Sequence, residues 1–203
     1  MMTKREPPVT AAELAARLQA SPEFIARQQE RELALAKRVA RHREEQAPIV
    51  SELQEAGIQL RFLRDLLTRS VPYPTAVPIL LKHLALPYSD VTRETLARAL
   101  AVRDARYAWS ILAAEYRKAP TGEENGIRLG AKSGLAAALA AIATENVMDE
   151  LIAIAKDRSH GSSRLLLLRV LKKSKSAAAK QAIEELASDP DLKKEIASWR
   201  GGR

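Results

Sequence analysis

Cysteine is absent from this 203-residue chain. That excludes a disulfide framework, thiolate chemistry and a Cys2His2 zinc finger. Aromatic residues are scarce, at two Phe, two Trp and four Tyr, and none falls between Tyr116 and Trp199. The C-terminal part therefore lacks the stacking platforms on which single-stranded nucleic acid is read. Val, Ile and Thr together supply only 28 residues against 63 for Ala and Leu. That imbalance favours helix over sheet. The longest apolar run, Leu135 to Ala143, is too short and too alanine-rich to span a bilayer. The opening MMTKREPP has no apolar segment of the kind a secretory signal carries. The expectation is a soluble, cytoplasmic, all-helical protein with no cofactor, no metal and no membrane partner.

Charge is plentiful and unevenly placed. The formal net charge is +8. Residues 1–155 hold 21 Lys/Arg and 19 Asp/Glu, while residues 156–203 hold 12 and 6. Between 156 and 180 there are eight basic residues and a single acid, Asp157. Such asymmetry bears on partners and solubility rather than on fold.

Along the chain, residues 1–9 read as a disordered arm and 10–47 as a helical extension. Thr10 and Glu13 have the spacing of a capping box. Ser21-Pro22 then opens a long helix over about 22–45, with Phe24, Ile25, Leu35, Ala36 and Val39 on one side. Pro48 marks the end of this extension. Residues 48–200 read as short helices with short breaks and no strand. The breaks fall at Gly57, at Val71-Pro72-Tyr73-Pro74, and at Pro87, Pro120, Gly122, Gly161 and Pro190.

Several of these helices repeat a pattern. Asp90-Val91-Thr92-Arg93 leads to Leu96, Ala97 and Leu100. Asn125-Gly126-Ile127-Arg128 leads to Ala131 and Leu135, and Gly161-Ser162-Ser163-Arg164 leads to Leu167, Leu168 and Leu171. The arginines are 35 and 36 residues apart, and an apolar helix precedes each copy. A weaker copy runs from Asp189-Pro190 through Lys193 to Ile196. The pattern resembles the HEAT-repeat family, specifically its short bacterial members, over about 48–200. The resemblance implies an all-α, right-handed α-α superhelix of about five helix pairs. It also implies that the opening acids and arginines, Asp90, Arg93, Asn125, Arg128 and Arg164, brace neighbouring repeats. The copy at 161–171 lacks the acid and the last pair lacks the arginine.

Candidate chemistry is thin. GIRLGAKSG (126–134) resembles a phosphate loop, but Ala131 stands where a Walker A loop needs the glycine before its lysine. The simpler reading is that Gly126, Gly130 and Gly134 recur every four residues on one side of a helix and let a neighbour approach. The histidines, His42, His83 and His160, read as structural. Trp109 and Tyr116 share one side of a helix and read as core. No catalytic residue is assigned, and none maps onto the HEAT-like DNA glycosylases.

The strongest surface feature is a basic stripe. Arg169, Lys172 and Lys173 fall within about 100° of arc, opposite Leu167, Leu168 and Leu171. Arg158 and Lys175 widen it. These residues point to a non-catalytic repeat module that binds another protein with an acidic surface, of which an inhibitor, immunity-type or adaptor protein is one form. The alternative is a basic protein that contacts nucleic-acid phosphates without sequence readout.

Overall fold

The computed structural model describes residues 10–124 and 126–199. The expected arm over 1–9 and the bracing residue Asn125 lie outside the described residues. The chain is mostly helical. It divides into two compact units, Met1–Glu44 and Glu45–Arg203.

In the first unit, helix α1 (Ala11–Gln19) opens at Thr10. The Thr10 amide donates to Glu13 Oε2 at 3.0 Å, and the Glu13 amide donates to Thr10 Oγ1 at 3.3 Å. This reciprocal pairing satisfies amides that have no partner inside the helix. Helix α2 (Pro22–Glu55) follows. Phe24, Ile25, Leu33, Leu35 and Val39 on it are exposed. Pro48 does not break α2, which continues into the second unit from Glu45 on. A proline removes one helical N–H donor and crowds the carbonyl four residues back. Here the burial of Ile49 and Leu53 just beyond it offsets that cost.

The second unit holds the core. After α2 come a 3-10 segment (Leu63–Thr68), α3 (Ala76–Leu84) and α4 (Asp90–Ala99). A second 3-10 segment, Arg103–Ala108, precedes α5 (Trp109–Lys118). Then follow a hairpin of β1 (Glu123–Glu124) and β2 (Ile127–Arg128), α6 (Ala131–Ile142), and α7 (Met148–Lys156). A 3-10 segment, Arg158–Arg164, leads into α8 (Leu165–Lys173), α9 (Ala177–Leu186) and α10 (Lys193–Ser198). Among the described residues, no helix is long and apolar enough to cross a membrane.

The even-numbered helices are neighbours: α4 packs on α6, and α6 on α8. Their partners α3, α5 and α7 pack on α4, α6 and α8 respectively, and α9 packs on both α7 and α8. The seams are aliphatic. Leu96, Leu100, Leu112, Leu135, Leu139, Leu151, Leu167 and Leu171 are fully buried, each contributing on the order of 1.5–3 kcal/mol. Trp109 and Tyr116 belong to this core.

Two expectations fail in the segment 123–134. A helix was expected from about 124, without any strand. The structure has a short antiparallel hairpin instead, with Glu123 opposite Arg128. Gly126 sits in its turn at φ +73°, a left-handed conformation that favours glycine. The three glycines therefore do not share a helix face. Only Gly134 lies inside α6, and there the close-approach reading holds: a Cβ on it would lie 2.8 Å from the Glu94 carbonyl oxygen on α4.

Candidate functional site

Of the expected bracing residues, Asp90, Arg93 and Arg164 make polar contacts that link successive helices. Asp90 opens α4 and accepts from the Gly130 and Ala131 amides at 2.6 and 3.1 Å, where α6 begins. Arg93 Nη1 donates to the Leu84 and Leu86 carbonyls at 3.0 and 3.3 Å, closing the end of α3. Its Nη2 donates to Glu115 Oε2 on α5 at 2.8 Å. Arg164 repeats this arrangement two helix pairs on. Its Nη1 donates to the Ala155 carbonyl at the end of α7, nine residues back, as Leu84 is nine back from Arg93. Its remaining donors meet Asp189, Asp191 and the Gly161 carbonyl. The carboxylate that Glu115 supplies to Arg93 is supplied to Arg164 by Asp189, the opening acid of the next copy.

Arg128 stands apart. It lies exposed on β2, and its Nη2 donates to Ser162 Oγ at 2.8 Å. The helix-closing role in this pair belongs to Lys132, whose Nζ donates to the Ala119 carbonyl at 2.7 Å. The 35-residue spacing pointed to the wrong cation, because the hairpin takes up the residues that a helix start would have used.

The basic stripe divides. Arg169 and Lys173 turn toward α6 and line a groove of about 470 Å³. The floor of this groove is apolar, with Ala137, Ala140, Ala141, Leu166 and Val170. Glu145 stands at one end, where it accepts from Ser174 Oγ at 3.3 Å. Lys172 Nζ lies 4.5 Å from the centre of the Trp199 ring, a cation–π contact. Arg158 is held by Asp189 at 3.1 Å. Lys175 is exposed beyond the end of α8. Helical phase alone placed Arg169, Lys172 and Lys173 together.

A second concavity, of about 320 Å³, has more polar side chains in its wall. It lies between the hairpin, the start of α6 and the 158–164 segment, and Lys132, Ser133, Arg128, His160 and Ser162 line it. Lys132 and His160 are each only 5% exposed. The Lys132 ammonium also sits 5.0 Å from the centre of the Tyr116 ring, and burial holds its pKa below the usual lysine value. The His160 ring packs edge-on against Tyr116 at 4.7 Å. Its Nε2 lies 3.5 Å from Asp157 Oδ2, while Nδ1 has no hydrogen-bond partner. Burial, reinforced by nearby Lys132, depresses the His160 pKa. The sequence carries no sign of this pairing: Lys132 falls in the phosphate-loop-like segment 126–134, but His160 is 28 residues further along and has no ligand spacing to it.

Two further clusters are structural. Glu52, on the last turns of α2, meets His83 Nε2 at 2.9 Å and Lys82 Nζ at 2.8 Å, and His83 Nδ1 meets Tyr88 Oη at 2.9 Å. Glu45 accepts from the Ser89 amide and hydroxyl and from Thr92 Oγ1, covering the start of α4. Among the described residues, no group of three or more His, Asp or Glu side chains is placed to hold a metal ion. Set against family models, curated proteins and solved structures, the chain matches none.

Proposed function

We propose that the chain is a non-catalytic, HEAT-like helical-repeat module that binds an acidic helix of a partner protein in the groove between α6 and α8. The observation that carries this is the groove itself, an apolar floor edged by Arg169 and Lys173. Small side chains on the floor let a helix backbone come close, and the two cations match a partner rich in Asp and Glu. The HEAT-like reading is supported by the neighbouring even-numbered helices and by the matching closures made by Arg93 and Arg164. An inhibitor, immunity-type or adaptor role suits such a module. The net positive charge of residues 156–203 favours a second reading, sequence-blind contact with nucleic-acid phosphates.

A photo-crosslinking residue at exposed Ala141 tests the first reading. The partner captured from the source cell should be lost in Arg169→Glu/Lys173→Glu and retained in Arg103→Glu, a charge reversal outside the groove. Capture that is indifferent to the double reversal would refute the groove as the docking site. Binding of a short DNA duplex with a steep salt dependence, equal for unrelated sequences, would instead support the nucleic-acid reading.

A further inference from the structure

The three helix-closing cations differ in one respect. Arg93 spends its remaining donors on Glu115, and Arg164 on Asp189 and Asp191. Lys132 makes the same closure, to the Ala119 carbonyl, yet has no ion pair among the described residues. An ammonium carries three donors, and a single hydrogen bond is recorded for this one. The Tyr116 ring lies against it, and the second concavity adjoins it.

The rest of that wall is rich in donors. Arg128 brings a guanidinium anchored by a single bond to Ser162 Oγ. Ser133 and Ser162 bring hydroxyls, and His160 brings a buried ring whose unpartnered Nδ1 donates only when it carries the proton. Buried polar groups ordinarily find a partner, so an unpaired one calls for an explanation. The only carboxylate in the wall is Glu123, which is exposed on β1. Asp157 acts on Lys132 through its charge alone and lies 3.5 Å from His160 Nε2, and its carboxylate is engaged with the Ser159 amide at 2.9 Å.

We infer that the concavity formed by Arg128, Lys132, Ser133, His160 and Ser162 binds a phosphate group, which supplies Lys132 with the counter-anion that protein carboxylates supply to Arg93 and Arg164. The site differs from a phosphate loop, because side-chain donors surround the anion and no glycine loop wraps it. At about 320 Å³ the concavity suits a small ligand. Free phosphate and a phosphomonoester share this chemistry, and the two are separable by experiment.

The test is a titration of the full chain with inorganic phosphate, following the His160 ring by NMR, with sodium chloride at matched ionic strength as the reference. The His160 signals should shift and saturate with phosphate and stay in place with chloride. Lys132→Met keeps the length of the apolar stem and should weaken binding about tenfold or more, a loss of about 1.4 kcal/mol or more. Arg128→Gln, at an exposed position whose loss does not threaten folding, should weaken it several-fold, and Glu123→Gln should tighten it. A parallel titration with glycerol phosphate decides the source: tighter binding than inorganic phosphate identifies an esterified ligand, and weaker binding identifies the free ion. A His160 response that is linear through tens of millimolar, or identical for phosphate and chloride, would overturn the inference. So would unchanged affinity in a folded Arg128→Gln together with unchanged affinity in Lys132→Met.

Discussion

Removing the Asp189 carboxylate should be among the most damaging single changes in the chain. Arg164 is fully buried, and the Asp189 side chain is 5% exposed. All five guanidinium N–H groups are spent: one on Gly161, one on Ala155, two on Asp189 and one on Asp191. Asp189→Ala takes away two of these bonds and the neutralising charge at once. The remaining carboxylate, Asp191, is 45% exposed and compensates weakly. Breaking a buried pair from one side costs about 3–5 kcal/mol, because the surviving charge stays desolvated. Against a typical total of about 5–15 kcal/mol, that is a large share. At about 2–4 °C per kcal/mol, the melting temperature should fall by about 10 °C.

Urea unfolding followed by tryptophan fluorescence and circular dichroism measures this directly. Arg164→Met/Asp189→Leu, which removes both charges and fills the space, should recover most of the loss. The same pair governs the acid limb. Arg164 holds the Asp189 carboxyl at about 2, below the ordinary 3.8. A depressed folded-state pKa gives stability that is complete above about 4 and disappears as pH falls toward 2. Asp189→Ala should flatten the stability profile in that window. A variant within about 0.5 kcal/mol of the parent, with an unchanged acid limb, would refute the reasoning.

Other outcomes follow from the same contacts. Arg93→Ala should cost about 1.5–3 kcal/mol, since it loses charge-assisted bonds to two carbonyls and Glu115. Arg128→Ala, exposed on the hairpin, should change stability by less than about 0.5 kcal/mol. Comparative chemical denaturation separates the two. Gly134→Val should destabilise by about 1–3 kcal/mol, because the Glu94 carbonyl on α4 leaves no room for a side chain; a melting temperature equal to the parent's would show that the helices yield freely. His160 provides a pH test. Burial first, then Lys132, Arg117 and Arg164, lower its pKa from 6.5, and Asp157 opposes them. The unfolded chain therefore takes up a proton before the folded one does, and stability should decline as pH falls below about 6.5. In His160→Gln that slope should be shallower, and an identical slope would contradict the burial of a neutral ring.

Helix content, the paired order of helices and the leucine seams were legible because each rests on local signals, namely apolar spacing and proline or glycine breaks. Three things were not. Pro48 reads as a stop, but α2 runs through it, since tertiary burial of Ile49 and Leu53 outweighs one lost hydrogen bond. Arg128 matched the repeat by spacing, while Lys132 took the position in space, because a six-residue hairpin fits between α5 and α6. The contact of Lys172 with the Trp199 ring was also hidden, because Trp199 lies 27 residues further along. In the candidate site, the groove cations Arg169 and Lys173 were named in advance. The concavity around Lys132 and His160 was not, because it exists only once the hairpin, α6 and the 158–164 segment meet.

Hydrogen exchange of the complex with the captured partner tests the central claim most directly. The account predicts that the partner slows exchange in α6 and α8 and leaves α3 and α4 unaffected. It also predicts that Arg169→Glu/Lys173→Glu abolishes this protection without changing exchange in the free protein. Protection confined to helices away from the α6–α8 groove, with α6 and α8 exchanging as they do in the free chain, would contradict it.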